Sequence, residues 1–162
     1  MRRLPLVAFL TLVVATVAAF FIAQHLKVST PLISGVTKPD PAVVNPLNGR
    51  TCYDSVRHQH VGPATRISFY LLHASDHVDV YVVNARGSRV ATLASDRFMK
   101  AVLFPHEVAT VFTWDGHDEG RLIAPDGTYY FHVHLIHQGR TVTVSDNSGP
   151  LPVSVDTRAG CP

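Results

Sequence analysis

Ten histidines in 162 residues are an unusual supply of imidazole, and two of them, His132 and His134, stand one residue apart. In an extended strand the side chains alternate, so both rings project to one face with Tyr130 and Ile136, while Phe131, Val133 and Leu135 take the other. Imidazole suits zinc, copper and nickel, and neighbours on one strand face are close enough to share an ion. A third ligand has to come from His106, His117, His137 or elsewhere, and the spacing selects none of them. The simpler reading puts both rings on the solvated face of a sheet, where the same alternation arises without a metal. Exposed histidines would also make the surface charge depend on pH near neutrality.

Asp115, Asp118 and Asp126 supply oxygens for a hard cation such as calcium. Their spacing departs from the twelve-residue helix-loop-helix pattern, however, and no bidentate glutamate closes the set. Each is adjacent to, or two residues from, a glycine, so backbone-bonding turn residues account for all three. Nucleophilic catalysis has less support: Ser68, Ser75 and Ser88 lack a Gly-x-Ser-x-Gly elbow, and no glycine-rich phosphate loop opens a helix. The expectation is a protein that is not an enzyme and carries no cofactor. Cys52 and Cys161 bracket the region that folds; in an oxidising compartment the pair is expected as a disulfide, while Gly160 and Pro162 leave a tail mobile enough for it to stay open.

The elements that must position these groups read as strands. Arg66 to Leu72 carries Ile67, Phe69 and Leu71 on one face, and Val78 to Val82 alternates with Asp79 and Tyr81 before a turn at residues 84–87. A short edge-like strand holds Val90 and Leu93; Val108 to Trp114 forms another. Thr128 to His137 returns across Gln138-Gly139 to Thr141–Ser145, and Leu151 to Val155 ends the series. Ser95 to His106 reads as a loop with at most one helical turn, stopped by Pro105. Seven or eight short strands without a helix predict an all-β, Ig-like β-sandwich over residues 50–162.

Within this pattern the densest signal is Trp114-Asp115-Gly116-His117-Asp118-Glu119-Gly120, followed after four residues by Pro125-Asp126-Gly127-Thr128-Tyr129. Trp114 is expected to cover one end of the core and Tyr129 to pack or hydrogen-bond at the mouth of the next strand. The stretch resembles the Ig-like domain of bacterial flagellar hook-capping proteins and of related secreted and surface proteins. That family's pattern is Trp-Asp-Gly-x-Asp-x-x-Gly, one residue longer than the Trp114–Gly120 stretch between its second Asp and its last Gly, then Pro-x-Gly-x-Tyr. Val80 to Leu93, with its Gly87 turn and Thr92-Leu93, is similar to the family's preceding hairpin, so the likeness covers about residues 65–137. It implies the fold. The segment 98–104 is longer and more apolar than the family's glycine-rich connection, and the hook-associated N-terminal region is absent, so a flagellar role is not implied.

The composition, 46% hydrophobic and 16% charged with a mean hydropathy of +0.15, concentrates its excess in residues 4–23, LPLVAFLTLVVATVAAFFIA. Twenty apolar residues in a helix span about 30 Å, the thickness of a bilayer core. Arg2 and Arg3 before it place the N-terminus in the cytoplasm. A cleaved signal peptide competes, with Val17-Ala18-Ala19 as its small-residue site, although the apolar run continues through Phe20, Phe21 and Ile22. The expected organisation is an anchor with its flanks at 1–27, a Pro-rich extracytoplasmic linker at 28–49 with some of its apolar Leu32, Ile33, Val43 and Val44 lying against the domain, and the sandwich beyond. Residues 1–45 carry four basic groups against Asp40, whereas ten basic and eleven acidic groups follow. The exported part is therefore nearly neutral, and nucleic acid is not an expected partner. The lipid bilayer and an unidentified protein or cell-envelope component are, which predicts a structural or protein-binding role at the bacterial cell surface.

Overall fold

The computed structural model of the protein describes residues 4–29, 31–102 and 109–160, and within the first stretch the side chains of 7–23. The chain divides into two compact units, Met1–Pro31 and Leu32–Pro162. The first is a helix, α1 (Leu4–Ser29). Its interior threonines close on the helix itself: the Thr11 and Thr16 hydroxyls donate to the carbonyls of Val7 and Leu12, each at 2.9 Å. Large apolar side chains on every side of it are exposed, Phe9, Leu12, Val14 and Phe21 among them. Among the described residues, no helix is long and apolar enough to cross a membrane.

The second unit is all β. In chain order its strands are β1 (Ile33–Ser34), β2 (Val43–Val44), β3 (Cys52–Asp54), β4 (Gln59–Gly62), β5 (Thr65–Leu71), β6 (Asp76–Asn84), β7 (Arg89–Met99), β8 (Thr110–Trp114), β9 (Gly127–Leu135), β10 (Arg140–Thr143), β11 (Ser145–Asp146), β12 (Gly149–Pro150) and β13 (Pro152–Val155). One sheet has the order β1-β5-β8, and the larger one runs β3-β4-β2-β13-β9-β6-β7, with β10 also on β9. β9 is the organising strand. One of its edges pairs with β6 from Tyr129 to Leu135. The other is shared end to end, β13 on residues 127–130 and β10 on residues 132–135.

The alternation in the sequence is what builds the core. Ile67, Phe69 and Leu71 of β5, Val78, Val80 and Val82 of β6, and Phe131, Val133 and Leu135 of β9 are fully buried. Together with Phe112 and Trp114 of β8 they form one hydrophobic cluster, so side chains of both sheets share a single interior. Phe69 and Phe112 stack across the smaller sheet with ring centroids 5.1 Å apart.

Three expectations need correction. Residues 32–49 are not a spacer: β1 pairs with β5, and β2 inserts between β4 and β13, parallel to both. Leu32 and Val44 belong to the main core. Prolines exclude long strands here, but two-residue strands between prolines still complete the ladder. The Asn45 amide reinforces this by donating to the carbonyls of Thr157 and Ala159, at 3.1 and 2.6 Å.

The stretch after Ser95 is also strand rather than loop, as far as Met99. Register shifts between β6 and β7 hide its period, and Asp96, at φ 51°, donates its N–H to the Asp79 carboxylate at 2.9 Å instead of capping a helix. The tryptophan strand begins at Thr110; Val108, Pro105 and His106 lie outside the described residues. Finally, β3, β4 and the β11/β12 hairpin have no counterpart in the expected series.

Candidate functional site

The Trp-Asp-Gly turn is built from its backbone outward. β8 delivers Trp114 into the core, where it is 1% exposed. Its ring packs on Tyr129 at 5.0 Å and edge-on to Phe131 at 6.4 Å. The indole N–H, which burial obliges to find an acceptor, donates to the His117 carbonyl at 2.8 Å, tying the strand to the turn that follows it. Gly116 makes the bend at φ 75°. A Cβ there would stand 2.7 Å from Pro46 Cγ and 2.9 Å from Val44 Cγ1, so the turn packs onto the segment around β2.

The carboxylates of this region face backbone donors. Asp115 accepts the His117 N–H at 3.2 Å, and Asp118 accepts the Leu122 N–H at 2.9 Å across the loop that holds Gly120. Asp126, between Pro125 and Gly127, accepts the N–H of Thr157 at 2.9 Å, fastening the C-terminal segment. Tyr129 donates its hydroxyl to the Pro125 carbonyl, 2.5 Å away and four residues upstream. Burial, with the Asp126 charge in support, raises the Tyr129 pKa, so the phenol stays a donor. The three aspartates thus serve three separate backbone sites and do not converge on a common centre.

His132 and His134 do share the outer face of β9, as their spacing requires. Each is engaged by β10: His132 Nε2 meets Thr143 Oγ1 at 3.1 Å, and His134 Nδ1 meets Thr141 Oγ1 at 3.0 Å. The His132 ring also lies 5.7 Å from that of Tyr81. It is half-buried, and the loss of solvent lowers its pKa, favouring the neutral ring. Among the described residues, no group of three or more His, Cys, Asp or Glu side chains is arranged to hold a metal ion. Of the third ligands considered, His117 turns to Asp115, His137 to Asp76, and His106 lies outside the described residues. Cys52 sits on β3, and no cysteine among the described residues is free; Cys161 lies outside them.

Two features had no sequence signal of their own. The first is the Asp76 carboxylate, fully buried, which accepts the backbone N–H groups of His77, His137 and Gln138 and the ring of His137. Burial works to raise its pKa, but these hydrogen bonds outweigh it and hold the carboxyl below its ordinary value. The second is a cleft of about 380 Å³ between β7 and the turn, lined by Thr92, Trp114, Asp115, His117, Glu119 and Arg121 among others. Thr92 bridges the Arg89 guanidinium and the Glu119 carboxylate at its rim. Asp76 precedes its imidazole partner by 61 residues, and the cleft joins β7 to the turn that follows β8, so neither has a local pattern to read. No protein-family model matches the chain, and none of the curated proteins matches it.

Proposed function

We propose that the protein is a single-pass membrane protein whose β unit is an Ig-like sandwich presented outside the cytoplasm, with a structural or protein-binding role at the bacterial cell surface. The observation that carries this reading is the contrast between the two units. In α1 the exposed side chains are Phe9, Leu12, Val14, Phe21 and Ile22, each about 60% exposed or more. A helix in water hides such residues on one face and shows polar ones on the other; among the described side chains, 7–23, this one has no polar face to show. The β unit, by contrast, buries its apolar strand faces and needs no lipid.

Arg2 and Arg3 orient the helix with its N-terminus in the cytoplasm. The Ig-like character is supported by a core common to the two main sheets and by the Tyr129–Pro125 hydrogen bond, which is the kind of contact that tyrosines make at sandwich corners. A Cys52–Cys161 disulfide fits an oxidising compartment. The acidic turn is structural, since its carboxylates are committed to backbone. The open polar cleft beside Trp114 offers a recognition surface.

Protease accessibility on intact cells and spheroplasts tests the topology. Digestion of the β unit from outside, with the apolar segment retained in the membrane fraction, is the expected result. A folded unit protected in spheroplasts overturns the orientation. A mature protein that begins after Ala19 replaces the anchor with a cleaved leader.

A further inference from the structure

At one end of the β6–β9 pair the chain places two imidazoles side by side, sixty residues apart in sequence. His77 and His137 have ring centroids 5.4 Å apart and planes inclined at 74°. Each presents Nδ1 to a carboxylate: His77 to Asp96 at 2.8 Å and His137 to Asp76 at 2.8 Å. Asp76 is itself fixed by three backbone N–H groups, and His77 is steadied by the Phe98 ring at 5.4 Å. The geometry is therefore held from behind both rings.

A carboxylate on Nδ1 selects the tautomer that carries its proton there, which leaves Nε2 as the unprotonated nitrogen able to bind a metal. That is the arrangement found behind metal-binding histidines, where the outer carboxylate orients the ring and raises its basicity. The separation fits as well. With a metal–nitrogen bond of ~2.0 Å and a ring centre ~1.2 Å further on, two imidazoles at the tetrahedral angle have centroids ~5.2 Å apart. Among the described residues neither Nε2 has a protein partner, and His137 is well exposed, so an ion from solution has access.

We infer that His77 and His137 form a two-histidine site for a borderline divalent transition metal, with water or an external ligand completing the shell. It is a different site from His132 and His134, whose rings are turned to the β10 threonines, and it is independent of the membrane topology. No third protein ligand joins it among the described residues, which makes it a surface site that exchanges its ion. Two imidazoles favour copper(II) over zinc by the ordinary order of divalent affinities.

The test uses the full, untagged chain in detergent micelles, stripped with chelator and titrated separately with copper(II) and zinc(II). One ion per chain is expected, with copper the tighter. His77→Gln and His137→Gln should each weaken copper binding about tenfold or more, and Asp96→Asn, which removes only an orienting group, should weaken it about tenfold. His132→Gln/His134→Gln should leave it unchanged. Copper(II) should also broaden the ring NMR signals of His77 and His137 in the wild-type chain before those of other histidines, a readout that requires no variant to fold. Absence of stoichiometric binding, binding indifferent to both His77→Gln and His137→Gln, or broadening that begins at other histidines overturns the site.

Discussion

Removing the Trp114 side chain is the most direct way to ask whether the Trp-Asp-Gly turn is a structural joint or a recognition surface in its own right, because the tryptophan both ends β8 and lines the cleft. It is 1% exposed and packs on Tyr129 and Phe131. Truncating a buried aromatic side chain to alanine costs about 3–5 kcal/mol, transfer and cavity terms together. The lost hydrogen bond to the His117 carbonyl adds about 1 kcal/mol, reduced where water reaches the freed carbonyl. For a unit of this size each kcal/mol lowers Tm by roughly 3–4 °C, so Trp114→Ala should melt roughly 9–24 °C below wild type. Trp114→Phe keeps an aromatic ring and drops the donor, and should lose less than half of that. Circular dichroism melts of the full chain in micelles, with urea midpoints as a second measure, provide the assay. A Trp114→Ala shift under about 5 °C would refute the joint and leave Trp114 as a residue kept for contact with a partner.

Gly116→Ala forces a side chain into a left-handed bend against Pro46 and Val44 and should cost about 1–3 kcal/mol, whereas Gly120→Ala, whose Cβ would meet only an Asp118 oxygen at 3.3 Å, should be much milder; equal urea midpoints for the two would refute the packing of the turn. Asp76 has a folded pKa below its unfolded value, so it contributes stability that is fully present above the unfolded pKa and is lost as pH falls through the folded one. Asp76→Asn should therefore lose about 1–3 kcal/mol at neutral pH and show a flatter decline in urea midpoint below about pH 4; an unchanged acid limb would refute that role. Non-reducing peptide mapping should recover the peptides around Cys52 and Cys161 as one species, and Cys52→Ser should destabilise by about 2–5 kcal/mol; two thiols fully open to alkylation in denaturant would refute the bridge.

The parts of the fold legible in the sequence are those where a strand has one buried face and enough length to show it. β5, β6 and β9 run over seven to nine residues, and their inward apolar members are buried, with Thr65, Ser68 and Asp76 the polar exceptions. The unreadable parts fail for specific reasons. Val43 and Val44 are too short a run to have a period, and the surrounding prolines point to an extended spacer, yet their neighbours β4 and β13 provide the hydrogen bonds. β7 has the length but is broken by register shifts around Asp96. For the candidate sites, strand periodicity places His132 and His134 on one face but cannot reveal the β10 threonines that meet them. The His77–His137 pair is invisible locally because the topology alone, with β6 beside β9, brings its members together.

The residues that stand out most in the sequence are largely those the fold consumes. Asp115, Asp118 and Asp126 draw attention as a carboxylate cluster, and each gives one oxygen to a backbone N–H of the turn or of the C-terminal segment. Trp114 and Tyr129, the aromatic members of the same motif, are buried with their polar atoms on the carbonyls of His117 and Pro125. A group with every donor and acceptor committed inside the protein has little left with which to bind something else. What the unit offers to a partner is therefore carried by exposed polar side chains: the linked Arg89, Thr92 and Glu119 at the rim of the cleft, which bond mainly to one another, and His77 and His137, whose Nδ1 atoms alone are engaged among the described residues. The first suits polar contacts with a protein surface, the second an ion that could be shared with one. A search for partners should accordingly start from substitutions on those two surfaces, because changes in the turn alter stability and recognition together and cannot separate them.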